Sequence, residues 1–343
     1  MHRRRILFSL LALAVVVVAG LAAVVALTSG SSSEKIVVYT ARLHYGEEEA
    51  FRRFAAESGY DVELFGGDGP ALNERLAAEG ADTDADVLIT VDGANLHQAV
   101  ERDLLQPFDS QRIREQIPEE LRDPQDRWFA LTSRARTIMR STERVPESQA
   151  PRTYADLGDR RWRGRLCLRT SDSVYNSSFV ADRLAKDGRE QTERMLRAWM
   201  ANEPKILGSD VDVLEAIAEG ECDVGLTNHY YLGRKLAEDP DFPVAPVWAD
   251  QDGRGTHLNL SGAGIVKHAD NVEGARELLE FLASAEAQSL FAQTNSEFPA
   301  NPNAKLPGHI ASWKGFKTDP IDVAGDAELQ DDAVELMNDV GWR

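Results

Sequence analysis

The chain has 343 residues, of which 43% are hydrophobic and 28% are charged, a composition typical of a globular protein with an apolar core rather than of a disordered chain. This length exceeds that of one average domain and favours two lobes. The 57 acidic residues outnumber the 38 basic ones and give a net charge of −19, which argues against nucleic-acid binding because such binding needs a basic surface.

The first residues form a predicted export segment. Three arginines, Arg3 to Arg5, precede an uninterrupted apolar run from Ile6 to about Leu27. A basic start followed by an apolar run is typical of a signal peptide, and roughly 20 apolar residues are also enough to span a bilayer. Residues 1–33 are therefore predicted to be a cleaved signal peptide or an uncleaved N-terminal membrane anchor. Either way, we expect the rest of the chain in the periplasm, free or tethered to the inner membrane.

After this segment, strands and helices alternate. Apolar and β-branched runs predict strands over 35–40, 60–65 and 85–91. Between them, residues 46–59 and 69–80 place apolar side chains at helical spacing, and each stretch ends at a glycine. This βαβαβ order predicts an α/β fold with a parallel sheet and helices on both faces.

A second α/β unit is predicted further along the chain, and two such units joined by short strand crossings would leave a cleft between them. The C-terminal residues 319–343 have the pattern of an acidic amphipathic helix packed on one unit. The other predicted strands are 165–170, 222–228 and 256–266, and the other predicted helices are 189–202, 209–220, 271–284 and 285–294.

Tyrosine and histidine side chains follow several of the predicted strands. Tyr175, Tyr230, Tyr231 and the pair His44 and Tyr45 all come just after predicted strand ends, where open α/β sheets bind ligands. A phenolate is a hard anionic oxygen donor that suits a hard cation such as ferric iron. Tyrosines lining a sugar or peptide cleft, or packed in the core, are the alternative. Tyr230 and Tyr231 can converge only if the chain turns or begins a helix there, because neighbours in a strand point to opposite faces.

Long segments of the chain resemble the periplasmic ferric-iron-binding proteins of bacterial ABC transporters. The resemblance runs from Lys35 to about Asn303 and implies an α/β, periplasmic-binding-protein-like (type II) fold with two lobes, a hinge and a central ligand cleft. It divides the chain into lobe 1, residues 34–132 plus about 257–300, and lobe 2, residues about 133–256 plus 301–343. The segments are "VYTARLHY", "ADVLITVDGANLHQAVERDLLQP", "WRGRLCLRTSDSVYNSS", "GECDVGLTNHYYLGR", "GTHLNLSGAGIVKHADN" and "EFLASAEAQSLFAQTNSEFPAN".

The resemblance also implies a ligand set for ferric iron. Tyr175, Tyr230 and Tyr231 match iron-binding phenolates, and His44 and Tyr45 match a further pair of ligands. In relatives with this pair, it directly follows an arginine, whereas here the run is "RLHY", with one leucine inserted. A bulge can restore both residues to the site; otherwise only one of them reaches the iron, or neither does.

Many relatives complete the iron coordination with a small anion such as carbonate, held by an arginine. Arg42 matches that position, and its alternative role is a solvated surface ion pair. His229, beside the tyrosine pair, is interpreted as a structural residue because relatives often carry threonine there. An even number of cysteines in an oxidising compartment favours a disulfide, with two separate buried thiols as the alternative. Relatives pair cysteines in these two strand segments, so the resemblance implies a Cys167–Cys222 bridge.

Four serines surround Tyr175, namely Ser171, Ser173, Ser177 and Ser178. They could hold an oxyanion at a helix start, but helix capping is the interpretation that we favour.

Arg134 and Arg136 lie at a predicted lobe crossing. They could assist an anion or form ion pairs beside a hinge. Asp86 and Asp92, which flank a strand end, are interpreted as turn and cap residues rather than as metal ligands.

The resemblance implies a monomeric solute-binding protein that binds Fe(III), with or without an accompanying anion, and delivers it to an inner-membrane ABC permease. A binding protein for an oxyanion or a small organic acid on the same fold is the alternative, and in it the arginines would dominate. Catalysis is not expected, because the chain has no G-x-S-x-G, H-E-x-x-H or C-x-x-C motif. An iron sensor tethered to the membrane would need a signalling domain, and only five residues precede the apolar run.

Overall fold

The computed structural model of the chain describes residues 34–42 and 49–343, and Lys35–Arg343 forms one compact unit. The predicted signal peptide or anchor over residues 1–33 lies outside the described residues. Within them, no helix is both long enough and apolar enough to cross a membrane.

The strands predicted over 35–40, 60–65, 85–91, 165–170, 222–228 and 256–266 are all present, whereas those over 105–106, 129–141, 205–207, 244–247 and 298–299 were not predicted. Both faces of the first strand, Lys35–Thr40, are buried from its second residue onward, as expected for a parallel strand covered by helices on each side. The strands are β1 Lys35–Thr40, β2 Asp61–Gly66, β3 Val87–Thr90, β4 Leu105–Gln106, β5 Phe129–Ser141, β6 Leu166–Arg169, β7 Lys205–Leu207, β8 Val224–Asn228, β9 Val244–Val247, β10 Leu258–Val266 and β11 Phe298–Pro299.

The helices predicted over 46–59, 69–80, 189–202, 209–220, 271–284 and 285–294 are present with similar bounds, whereas those over 93–101, 111–116, 174–187 and 229–238 were not predicted. Most helices begin with a polar side chain that caps the first turn. The predicted C-terminal helix is divided into two, which follow one another after Asp322. The helices are α1 Glu49–Ser58, α2 Gly69–Glu79, α3 Gly93–Glu101, α4 Gln111–Gln116, α5 Val174–Asp187, α6 Arg189–Ala201, α7 Asp210–Glu219, α8 His229–Glu238, α9 Val272–Leu282, α10 Ala285–Asn295, α11 Val323–Glu328 and α12 Gln330–Asp339.

The longest strand, β5, joins two parts of one mixed sheet. Its first part pairs antiparallel with β10 and β11, and its second part pairs antiparallel with β8 and β9. The hydrogen-bonded order is β2-β1-β3-β10-β5-β8-β6-β7. The predicted parallel pairing holds for β1 with β2 and β3. Strand β6 also pairs in parallel with β7 and β8. The antiparallel strands β5 and β10 make the sheet mixed rather than wholly parallel.

The apolar core lies in separate clusters on either side of the middle of β5. One cluster draws its side chains from between Ile36 and Leu131 and between Leu260 and Ala300. Two others draw theirs from residues that follow Leu131, including the C-terminal Trp342, which packs edge-on against Trp199 at 6.0 Å between ring centroids. The lobe boundaries given above stay a prediction.

A disulfide bond joins Cys167 in β6 to Cys222, two residues before β8. The two Cα atoms lie 5.8 Å apart, within the usual range for a disulfide. The predicted pairing is confirmed, and the alternative of two separate buried thiols is wrong for this structure.

Candidate metal centre

Tyr175 and Tyr230 occupy the second positions of two helices, α5 and α8. Helix α5 is capped by Ser173, whose hydroxyl accepts a hydrogen bond from the Tyr175 amide at 3.3 Å. Helix α8 starts directly after β8, so the chain turns into a helix where the tyrosine pair begins. The N-terminal end of a helix carries a partial positive charge, which favours an anionic side chain near it. Both tyrosines therefore belong to the first turn of a helix, at the end that carries this partial charge.

Three phenol rings come together at these helix starts. The phenol oxygens of Tyr230 and Tyr175 lie 3.4 Å apart, although the residues are 55 positions apart in sequence. The rings of Tyr230 and Tyr231 lie 4.1 Å apart between centroids, so helical geometry brings the adjacent tyrosines to one side. Tyr230 is fully buried, Tyr175 is 7% exposed and Tyr231 is half-buried. The chain begins a helix at Tyr230 and Tyr231, which is the condition under which the sequence allowed these two tyrosines to converge.

The surroundings of Tyr231 favour its protonated form. Burial, and to a lesser extent the nearby Tyr175 and Asp210, raise the pKa of Tyr231 to about 12, while the hydrogen bond from Tyr230 and the charge of Arg169 act in the opposite direction. A cation that binds here has to displace the phenol proton, so binding of a metal would depend on pH.

Arginines flank the tyrosines, and buried carboxylates balance their charge. The guanidinium carbon of Arg134 lies 5.6 Å from the ring centroid of Tyr175, and that of Arg169 lies 6.0 Å from it, both near the limit for a cation–π contact. Arg169 is also 3.8 Å from the carboxylate of Asp210, which is fully buried. These arginines offset part of the negative charge that phenolates would bring.

Arg42, the candidate anion partner, is held by buried side chains. Its guanidinium donates to Glu297 at 2.9 Å, to Ser261 at 3.2 Å and to Thr132 at 3.3 Å. Burial alone would raise the pKa of Glu297, but Arg42 and Arg134 more than offset this and keep it below its usual range. Arg42 is 1% exposed, so it is not the solvated surface residue of the alternative interpretation.

His229 is a core residue. Its Nδ1 accepts a hydrogen bond from the Ala135 amide at 3.1 Å, and its ring stacks on Phe298 at 3.9 Å between centroids. Burial lowers the pKa of His229 to about 3, and the charge of Arg134 contributes, so the imidazole stays neutral at physiological pH. These contacts agree with the structural role predicted for it. The other predicted histidine, His44, and its neighbour Tyr45 lie outside the described residues.

The serines around Tyr175 make hydrogen bonds within the fold. Ser173 caps α5 and Ser177 donates to the Val174 carbonyl. Ser178 donates to the carboxylate of Asp92, which caps α3. The predicted capping role is confirmed for Ser173 and for Asp92. Ser177 and Ser178 lie within α5 and cap no helix.

Phenols are the metal-binding donors that the described residues bring together here. No group of three or more histidine, cysteine, aspartate or glutamate side chains within residues 34–42 and 49–343 is arranged to hold a metal ion. A cavity of about 520 Å³ lies elsewhere, between α6 and the turn at Asp250, and none of the three tyrosines lines it.

Sequence reasoning did not identify several polar residues that organise the site. Glu297, Asp210, Asn176 and Asn228 are all buried and bind arginines from other segments. Only Glu297 leaves a sequence signal, since it is a lone acid between helix α10 and β11. The others are ordinary helix-start residues whose partners on β5 lie far away in sequence.

Comparison with known proteins gives close matches over most of the chain. A family model of bacterial extracellular solute-binding proteins matches residues 82–319. Iron uptake protein A1 of Synechocystis sp. is 39% identical over 327 residues, covering 92% of this chain and 89% of that protein.

Solved structures of similar proteins also match over most of the chain. The Trichodesmium protein IdiA (FutA) in complex with iron and citrate ligands has a TM-score of 0.83 at 36% identity, covering 90% of this chain and 100% of that one. The apo ferric ion-binding protein A of Pasteurella haemolytica has a TM-score of 0.84 at 34% identity, covering 90% and 98%. The predicted fold class, a two-lobed α/β fold of the periplasmic-binding-protein type, is confirmed by these matches.

Proposed function

Because the chain belongs to the family of bacterial extracellular solute-binding proteins, we propose that it binds one ferric ion and delivers it to an ABC permease. Tyr175, Tyr230 and Tyr231 are the ligands in this proposal, and the protein carries out no chemistry on its cargo. It acts in the periplasm as a monomer, whether or not residues 1–33 remain as a tether.

The convergence of three phenols from two helix starts is the observation that carries the proposal. Metal–oxygen bonds of about 2 Å place two ligand oxygens on one ion roughly 3 Å apart. The phenol oxygens of Tyr175 and Tyr230 are already 3.4 Å apart. A small movement of the side chains is therefore enough for both oxygens to bind one ion.

Charge favours the ferric ion over the ferrous ion. Three phenolates carry three negative charges, and Fe(III) offsets one more of them than Fe(II) does. In a buried site an uncompensated charge is costly, so the complex with the higher metal charge is the more stable one.

The remaining predicted ligands complete the proposal. His44 and Tyr45 would supply further donors from the segment that directly follows Arg42 and Leu43. Arg42 would hold a carbonate-type anion, which has to compete with Glu297 for the guanidinium. If the iron complex forms without bicarbonate, Arg42 pairs with Glu297 and holds no anion.

A visible absorption titration of the metal-free protein with ferric citrate, with and without bicarbonate, tests the function. Phenolate bound to ferric iron gives a coloured charge-transfer band, and we expect it to saturate at one iron per chain. Tyr230→Phe and Tyr231→Phe should weaken the band, because each variant removes one phenolate.

Tyr39→Phe is the matched control. Tyr39 is a buried tyrosine of β1 whose hydroxyl donates to Glu79, and its loss should leave the band unchanged. No band in the wild type, or binding of an oxyanion or organic acid without iron, would contradict the proposal.

A further inference from the structure

Arg136, a residue of β5, contacts the starts of three helices. Its guanidinium donates to Asn176 in α5 at 2.5 Å and to Asn228, directly before α8, at 3.2 Å. It also donates to Asp210, the first residue of α7, at 3.4 Å. Arg136 is 1% exposed, so water does not compete for these bonds.

Two of these contacts are next to the tyrosines. Asn176 follows Tyr175 in sequence, and Asn228 lies two residues before Tyr230. One guanidinium therefore bridges the two helices whose first turns bring the phenols together.

Asn228 is used for this bridge rather than for its helix. An asparagine at the residue before a helix ordinarily caps the first turn with its side-chain oxygen. Here the side chain makes no capping bond, and its oxygen accepts from Arg136 instead. Its amide nitrogen has no hydrogen-bond partner among the described residues, so the oxygen is the part of the side chain that matters.

Asn176 fixes α5 in a second direction. Its amide nitrogen donates to the carbonyls of Thr170 at 2.8 Å and Arg169 at 3.3 Å, at the end of β6. Its oxygen accepts from Arg136 on β5. The start of the helix that carries Tyr175 is thus attached to two strands of the sheet.

We propose that Arg136 is a positioning residue that fixes the spacing of Tyr175 from Tyr230 and Tyr231, through Asn176 and Asn228; this inference rests on the proposed ferric site. The planar guanidinium reaches several acceptors at once with fixed geometry. Residues that orient metal ligands commonly change metal affinity 10- to 100-fold when they are removed. If Arg136 served only to balance the charge of the buried Asp210, its contacts with the two asparagines would not be needed.

The test compares single asparagine variants by iron spectrum, iron affinity and thermal unfolding. Asn228→Ala removes one acceptor and leaves the Arg136–Asp210 pair in place. We expect iron affinity to fall about 10- to 100-fold and the charge-transfer band to shift or weaken per bound iron. Asn228→Asp keeps the acceptor oxygen and should restore affinity and band towards the wild type.

Asn202→Ala is the matched control. Asn202 is 1% exposed and donates to the carbonyls of Leu157 at 2.9 Å and Asp159 at 2.8 Å, so its loss also removes buried hydrogen bonds. We expect it to lower the unfolding temperature and leave the iron spectrum unchanged. Asn176→Ala should have the same effects as Asn228→Ala. If Asn176→Ala does not fold, the comparison rests on Asn228→Ala, which loses a single side-chain hydrogen bond.

The outcomes separate the inference from the function it rests on. If the wild-type protein shows the charge-transfer band and Asn228→Ala has the same spectrum and the same iron affinity, the positioning role is overturned and the ferric site stands. The absence of a band in the wild type itself would overturn the ferric site instead.

Discussion

At the scale of single residues, Glu297 is the carboxylate on which two buried arginines depend. It is fully buried, 2.9 Å from Arg42 and 3.9 Å from Arg134. Because its pKa is held below the usual range, it is ionised in the folded protein. Its contribution to stability is present above the ordinary glutamate pKa and is lost as pH falls through the lowered value.

We expect Glu297→Gln to lower the free energy of unfolding by about 3–5 kcal/mol, because it removes a buried carboxylate that pairs with two buried guanidinium groups. Urea unfolding near pH 7 measures this. Glu57→Gln is the control: Glu57 pairs with Arg53 at the surface, where both side chains are about half exposed, and its loss should have a much smaller effect because water screens the pair. Equal effects of the two substitutions would contradict the assignment of Glu297.

The tyrosines predict a steep dependence of iron affinity on pH. Free tyrosine has a pKa near 10, and burial raises that of Tyr231 to about 12, so the phenol is protonated before iron binds. Each phenolate that forms releases a proton, and affinity at fixed free ferric ion should therefore rise with pH, about tenfold per pH unit for each phenolate.

Competition with a chelator of known pH dependence, between pH 6 and 8, gives the slope of the logarithm of iron affinity against pH. Three phenolates predict a slope near three, and a fourth from Tyr45 would add one. Tyr175→Phe should lower the slope by one, and Tyr39→Phe should leave it unchanged. A slope near zero would mean that phenolates do not bind the iron.

At the scale of helices and strands, the tyrosine positions could be predicted because each follows a strand end that has a clear apolar pattern. Tyr230 and Tyr231 follow β8, and the structure starts a helix there. The partners of the site could not be predicted in this way. Arg136 and Asn228 are 92 positions apart, and their pairing depends on the antiparallel register of β5 with β8.

Strand β5 shows where the sequence pattern fails. Residues 129–141 contain serine, threonine and arginine among apolar residues, and nearly all of them are buried. A strand that is buried on both faces and also binds polar partners has no alternation to detect. The parallel strands β1 and β3 could be predicted because their central residues form short continuous apolar runs.

The disulfide between β6 and the segment before β8 closes a loop with a sequence separation of 55. A loop of this length predicts that the double variant Cys167→Ala and Cys222→Ala loses up to about 4 kcal/mol of unfolding free energy, because its unfolded chain is less restricted. Chemical denaturation measures the loss. We expect the iron band of the folded variant to be unchanged, and a lost band would mean that the bridge also shapes the site.

At the scale of the whole molecule, the hydrogen bond between Ser178 and Asp92 connects α5 to the start of α3. These helices belong to different lobes in the predicted division, so the bond crosses the predicted cleft. A ligand that binds one arrangement of the lobes better than another shifts the population towards it.

We therefore expect iron to make the protein more compact. Small-angle X-ray scattering should give a radius of gyration on the order of 20 Å that decreases when ferric citrate is added. Citrate alone, or ferric citrate with the Tyr230→Phe and Tyr231→Phe double variant, should leave it unchanged. An equal decrease of the radius of gyration in that double variant would show that lobe closure does not depend on these tyrosines.

Crystals of the iron-loaded protein, measured on both sides of the iron absorption edge, test the central claim most directly. The anomalous difference map should contain one iron peak per chain, within bonding distance of the phenol oxygens of Tyr175, Tyr230 and Tyr231. A peak held by carboxylates or located away from these tyrosines, or no peak in a protein that carries iron in solution, would contradict the ferric–phenolate site.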